Sequence, residues 1–487
     1  MRQRNQKLIL YYCSIFVMLI GLIQLMPLLV LPFYPEEVNL AYCFIIPGII
    51  SILAGGYVKY RMRNIELSNL DKHYDAVLIV LVWILAIVIS TAPWMLSGHY
   101  NFSQAMFEMT SGFSTTGLSV VDVDLCPKIF LVFRSITLFV GGIGLVLILT
   151  CTISDSFGLN LYNAEGHNDR LMPNLKKSAR FILSIYSVYI IAGIIAYHLA
   201  GMSWFDAFNT SIAALSTGGF STSNESIYHY HSLPIEIITI VLMLLGQTNF
   251  MIHLSILRGK FKNVIYNVET KFFIVVAAIS FVLMNYSLIS SKLVTDFGEA
   301  TRITVFQLVS GITTTGFISV SDLRILPSGF VSMMILLMLI GGNMESTAGG
   351  IKQYRVILAL KGIWNSIKNT VSDKRIIKVN YTWRAGNKVN LSEDQINSTT
   401  TYVLFYVILF LIGSTIFALE GYNLQDAMFE FSSALSTVGL SVGITGYHAS
   451  NLILWTGIIG MFFGRLEIMI IFEAVAIMLK RSKRVRQ

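Results

Sequence analysis

The chain reads as an all-α polytopic membrane protein. Four M1–pore loop–M2 repeats surround a pseudo-fourfold pore, and two further transmembrane helices precede them. Three observations predict this. The 487 residues are 54% hydrophobic and 13% charged, with mean hydropathy +0.67, whereas soluble proteins are about 25% charged. A short phrase is written four times, as Ser114-Thr115-Thr116-Gly117-Leu118, Ser216-Thr217-Gly218-Gly219-Phe220, Thr313-Thr314-Thr315-Gly316-Phe317 and Ser436-Thr437-Val438-Gly439-Leu440. Finally, 29 of the 35 Lys and Arg fall in six clusters at alternate ends of the apolar runs, the positive-inside pattern that puts both termini in the cytoplasm. The net charge of +8 therefore describes topology and membrane contact, not a nucleic-acid partner.

The first and last repeats are close copies. Asn101–Val120 and Asn423–Val442 agree at twelve of twenty positions, and internal self-similarity at domain-like spacing is a strong sign of repeat architecture. A spanning helix needs about 20 apolar residues. Leu8–Leu31 and Leu40–Val58 meet that length and form an N-terminal addition, residues 1–70. The run from Leu8 is too long for a cleavable signal and reads as a retained helix. Repeat one (71–165) comprises Ala76–Leu96, a half-helix Phe102–Phe113 too short to span, the loop, and Lys128–Ile153. Repeat two (166–265) comprises Phe181–Leu199, Trp204–Leu215 and Ile235–Leu257. Repeat three (266–366) comprises Phe272–Ile289, Glu299–Ile312 and a second helix from Ser328. A basic cytoplasmic connection (367–398) leads to repeat four (399–487), with Tyr402–Leu419, Leu424–Leu435 and Asn451–Leu479. About ten spanning helices and four half-helices are expected.

Loops of hydroxyls and glycine at membrane depth suit a desolvated monovalent cation, because backbone carbonyls and Thr hydroxyls can replace its water. Aiming successive carbonyls one way forces dihedrals open mainly to Gly, and such backbone is tolerated only where protein buries it or water lines it. The expected ion-binding filter is Thr115, Thr116 and Gly117; Thr217, Gly218 and Gly219; Thr314, Thr315 and Gly316; and Thr437, Val438 and Gly439. The half-helices point their C-terminal ends inward, each worth roughly half a negative charge, which favours a cation. Asp206 and Asp426 suit capping of first turns, and Glu108 and Glu430 suit brackets to neighbouring backbone.

Two places break the repeat. Gly341, Gly342, Asn343, Met344, Glu345, Ser346, Thr347, Ala348, Gly349 and Gly350, followed by Ile351 and Lys352, interrupt repeat three's second helix. Each Gly costs about 1 kcal/mol against Ala in a helix, so this polar stretch is expected to unwind beneath the filter as a gate; a packing kink is the blander alternative. Repeat four carries Gly464-Arg465-Leu466-Glu467. An intramembrane Arg is a functional candidate by default, either as a barrier to ions or in a salt bridge with Glu467 or Glu345. Asn249 and His253 read as helix–helix contacts, and the run Met333–Met338 as bilayer contact. Cys13, Cys43, Cys126 and Cys151 lack metal-ligand spacing, and no disulfide is expected.

These residues resemble the Trk/Ktr/HKT superfamily of potassium transport proteins, and within it the TrkH branch of Trk-type membrane subunits. The four loops, the N-terminal helix pair, Gly464-Arg465-Leu466-Glu467, Gly141-Gly142-Ile143-Gly144 and Asn249-Phe250 with His253 carry the likeness over the whole chain. The resemblance implies potassium uptake at a bacterial or archaeal inner membrane by a homodimer with one pore per subunit, gated by a cytoplasmic ring of TrkA-like nucleotide-binding subunits. It implies potassium at the filter residues, with any NAD or ATP/ADP held on the partner, since no P-loop or strand–GxGxxG–helix unit occurs here. It also makes Gly341–Gly350 the intramembrane loop and Arg465 the pore arginine. One departure stands out: the family builds that loop from small residues, and Met344 and Glu345 are not small. A secondary transporter coupled to Na+ or H+ would be expected to show inverted repeats; these repeats share one orientation. No HExxH, catalytic carboxylate pair or nucleophile motif points to an enzyme.

Overall fold

The computed structural model describes residues 2–65, 74–144, 175–371, 381–384, 386–466 and 468–483. Six helices among them are long and apolar enough to cross a membrane unbroken: the N-terminal pair and the first helix of every repeat. Their faces away from the core are apolar and exposed, as at Ile274, Val275, Ile279 and Val282. The two N-terminal helices pack closely through Gly21 and Gly48, where a Cβ on Gly21 would lie 2.7 Å from the Gly48 carbonyl oxygen; small residues let membrane helices approach in this way.

The half-helices run Phe102–Phe113, Trp204–Leu215, Phe297–Ile312 and Leu424–Leu435. Each begins at a residue whose side chain accepts a backbone N–H of the first turn: Asn101, Ser203, Asp296 and Asn423. Such caps satisfy donors that have no partner in the helix. Side chains stitch the repeats into a ring. Ser135 donates to Asn209 Oδ1 at 2.5 Å, Arg302 donates to both oxygens of Glu236 at 2.8 and 2.7 Å, Gln425 donates to the Ser328 carbonyl at 2.9 Å, and Gln104 donates to the Tyr447 carbonyl at 2.7 Å.

The second helices of repeats two and four depart from the expectation of continuous spans, and that of repeat three is broken where its glycines placed the break. Repeat one's helix Lys128–Ile143 ends at Gly144, with φ +98°; its expected continuation to Ile153 lies outside the described residues. Repeat two's helix breaks at Thr248 and Asn249, turning by 108° between Leu233–Gln247 and Phe250–Leu257. Repeat three's breaks after Ile340, and repeat four's after Arg465. Close packing accompanies the breaks in three repeats: Gly141, Gly246 and Gly464 press against the carbonyls that end the half-helices, at Phe113, Leu215 and Leu435. The methionine run is likewise not all bilayer contact. Met334 and Met338 are buried, and Met334 lies over Gly311 of the third half-helix. The basic connection also contains a small β-hairpin, β1 (Tyr381–Arg384) paired antiparallel with β2 (Asn387–Asn390). Cys13, Cys43 and Cys126 are free thiols.

Two buried carboxylates tie half-helices to the chain beyond their loops. Glu430 accepts from the Ser441 hydroxyl (2.7 Å), Val442 N–H (2.8 Å) and Thr445 N–H (3.0 Å). Glu108 accepts from Ser119 and from Val120 N–H, and pairs at 2.7 Å with Arg134, both side chains being at most 3% exposed. Arg134 also donates to the Ser221 carbonyl of the next repeat at 3.2 Å. Removing one member of a buried pair leaves an uncompensated charge, at a cost of about 3–5 kcal/mol. Arg134→Met is therefore expected to lower the thermal unfolding midpoint in detergent sharply, and Glu108→Gln in the same chain to recover part of it. An unchanged midpoint for Arg134→Met would contradict the bracket.

Candidate functional site

Each half-helix ends in the same turn. Thr115 N–H reaches the Gly112 carbonyl (3.1 Å) and Thr116 N–H the Ser111 carbonyl (2.9 Å); Thr314 and Thr315, and Thr437 and Val438, repeat the pattern. This is the Schellman closure, whose left-handed residue is usually Gly. Here it is threonine four times: Thr115, Thr217, Thr314 and Thr437 have φ of +55°, +52°, +53° and +51°. A β-branched residue with positive φ is a genuine outlier, at roughly 1–2 kcal/mol. The sequence reading expected this conformation only at the glycines two residues later. Those have it too, Gly117, Gly219, Gly316 and Gly439 lying at +96°, +62°, +88° and +97°.

The glycines close a ring. A Cβ on Gly117 would overlap the carbonyl oxygen of Gly218, one on Gly219 that of Thr315, one on Gly316 that of Val438, and one on Gly439 that of Thr116. Each loop therefore touches the next, and the fourth touches the first. The four left-handed threonines are buried, at most 1% exposed. Two of its threonine hydroxyls, Thr115 Oγ1 and Thr437 Oγ1, are buried without a hydrogen-bond partner.

The other two meet the broken segment of repeat three. Thr217 Oγ1 lies 3.0 Å from Thr347 Oγ1, and Gly349 N–H donates to Thr314 Oγ1 at 2.7 Å. Gly349 also sits against Thr437 Oγ1 and the Ser436 carbonyl, leaving no room for a Cβ. Thr347 is held in turn by the Gly246 and Leu215 carbonyls (2.9 and 3.2 Å). Gly341 and Gly350 take positive φ, and Gln353 N–H closes the segment on the Gly342 carbonyl at 2.9 Å. Asn343, Glu345 and Ser346 are buried in it, and Lys352 has φ +77°.

Arg465 ends the helix beside this segment. It donates to the Thr347 carbonyl (3.1 Å), the Gly142 carbonyl (3.4 Å) and the Gly141 carbonyl. Asn249 and His253 are buried contacts: Asn249 Nδ2 donates to the Met344 carbonyl at 2.8 Å, and His253 faces Tyr189 and the Leu245 carbonyl. Glu345 forms an ion pair with Arg384 at 3.3 Å. Glu467 lies outside the described residues. Beyond the loop of repeat three Arg324 grips Asp322 at 2.7 Å and holds its carboxyl below the ordinary carboxylate range, so that carboxylate is ionised at neutral pH.

The profile of the TrkH family, described as cation transport protein, matches residues 42–486. An uncharacterised cation transporter of Methanocaldococcus jannaschii is 30% identical over 464 residues, covering 94% of this chain and 93% of its own. The Trk system potassium uptake protein TrkG of Escherichia coli is 28% identical, covering 96% and 97%. The crystal structure of the potassium transporter TrkH from Vibrio parahaemolyticus superposes with TM-score 0.83 at 24% identity, over 97% of this chain and 98% of that one. A family profile spanning nearly the whole chain, with the four-repeat fold it accompanies, shows that this chain belongs to the TrkH family of cation transport proteins.

Proposed function

We propose that the chain is the potassium-conducting subunit of an uptake system, with ions passing through the ring of four loops. The observation that carries this reading is the closed contact of each filter glycine with the next loop's carbonyl. Alternating left-handed and ordinary backbone turns successive carbonyls toward one side, and a ring of such oxygens replaces a potassium ion's hydration. Four strained threonines add hydroxyls, and neutral oxygens suit a weakly hydrated monovalent ion better than charged ligands do. The names of the relatives as potassium uptake proteins support the same substrate.

Below the ring, the segment from Gly341 to Gly350 acts as the gate, since Thr347 and Gly349 bond the ring's own threonines. Arg465 restrains this segment through the Thr347 carbonyl and places a positive charge under the ion path. The uptake unit is a homodimer in a bacterial or archaeal inner membrane, both termini cytoplasmic. A TrkA-like ring that binds NAD or ATP/ADP moves the gate.

Expression in a potassium-uptake-deficient strain tests the assignment: the chain restores growth at low potassium. Gly316→Ser, whose Cβ overlaps the Val438 carbonyl, keeps rubidium uptake but loses discrimination against sodium; unchanged ion preference would count against the filter. Arg465→Ala raises rubidium flux in proteoliposomes if the arginine is a barrier and restraint. A folded variant whose flux equals the parent's would contradict that role.

A further inference from the structure

Met344 and Glu345 do more than interrupt a run of small residues. Glu345 has φ +58°, a conformation glycine adopts freely and other residues adopt under strain. Strain of this kind persists where the surroundings over-determine it, often at switch regions. The surroundings here include the β-hairpin. The Glu345 carboxylate pairs with Arg384 of β1 at 3.3 Å, the two side chains being 4% and 12% exposed. Arg384 in turn lies over the Tyr354 ring, 4.8 Å from its centroid.

Met344 is fixed on three sides. Its N–H donates to buried Glu269 at 2.7 Å, its carbonyl accepts from Asn249, and its side chain joins a small core with Tyr354, Leu358, Leu391 and Ile396. Leu391 directly follows β2, and Ile396 lies in the first turn of the helix Glu393–Leu419 that comes next. The hairpin is itself anchored: Lys361 Nζ donates to the Tyr381 carbonyl at 3.0 Å, and Gly386 packs against the Asn263 side chain.

We infer that the hairpin of β1 and β2 is a clasp on the gate, with Arg384 and the pocket that Leu391 helps to form positioning the intramembrane segment against the filter through Glu345 and Met344. The inference rests on reading that segment as a gate. Displacing the hairpin by a cytoplasmic partner would withdraw the ion pair and the methionine together, so the two residues couple a surface element to the threonine ring. Their spacing makes this direct: Thr347, bonded to Thr217, is two residues from Glu345.

The test uses the full chain in proteoliposomes without any partner, reading rubidium flux, rubidium-over-sodium preference and thermal midpoint. Glu345→Gly removes the carboxylate while relieving the strain. It is expected to lower the midpoint by less than Glu345→Ala does, since glycine relieves the strain while both lose the ion pair, to raise flux at least about fivefold, the low end of coupling between linked sites, and to leave ion preference unchanged. Arg384→Gln raises flux similarly, and the double variant is no more open than either single one, because both break one link. Thr347→Ala, which removes the segment's bond to Thr217 and leaves the hairpin untouched, separates the two readings. If Thr347→Ala raises flux while Glu345→Gly and Arg384→Gln leave it at the parent's level, the clasp is wrong and the gate stands. If all three leave it unchanged, the gate reading falls and the clasp with it. A double variant whose flux is the product of the two single increases also overturns the clasp.

Discussion

The structure depends on one constraint: four threonines held in left-handed backbone, each followed two residues later by a glycine pressed on the neighbouring loop. Either half alone would be ordinary. A helix often ends in a left-handed residue, but glycine does this without cost. Spending roughly 1–2 kcal/mol four times on threonine is explained only if the hydroxyl or the stiff β-branched backbone is needed there. The absent Cβ on each glycine then lets four chain segments approach closely enough to share one axis. Everything outside the ring serves this approach: the N-caps that aim the half-helices, the buried carboxylates behind them, and the inter-repeat bonds that run from repeat one round to repeat four.

The second helices show what the ring demands of its support. Three of them bring a glycine against the last carbonyl of their half-helix, and all four end or break there. A straight helix at that level would fill the space below the loops. In repeat three the freed backbone goes further and bonds the threonines themselves. Its glycines permit the fold of the segment, while Met344 and Glu345 tie it to the hairpin and the core beside it. The same ten residues therefore face two ways, toward the ring of loops through Thr347 and Gly349 and toward the hairpin through Met344 and Glu345.

Much of this architecture was legible in the sequence, for physical reasons. Half-helices Phe102–Phe113, Trp204–Leu215 and Leu424–Leu435 begin and end where the sequence places them, because Asn101, Ser203 and Asn423 cap them and the Ser-Thr phrase stops them. The broken helix of repeat three was legible from its glycines. The breaks at Thr248 and Leu466 were not, since neither carries a Gly or Pro run, and close packing on a half-helix imposes them. The hairpin hid in a basic stretch; the alternation Tyr381-Thr382-Trp383 before Gly386 was its signal. The ion pair of Glu345 with Arg384 joins residues 39 apart, a pairing that no local pattern announces. The left-handed threonines were invisible because nothing in their type favours that conformation.

The central claim is that the ring of loops is where potassium binds. Diffraction or cryo-electron microscopy of the protein in rubidium or thallium salt measures this directly. The account predicts strong density on the common axis at the level of Thr115, Thr217, Thr314 and Thr437 and of the carbonyls pressed on Gly117, Gly219, Gly316 and Gly439. An empty ring, with the heavy cation bound elsewhere in the protein, would contradict it.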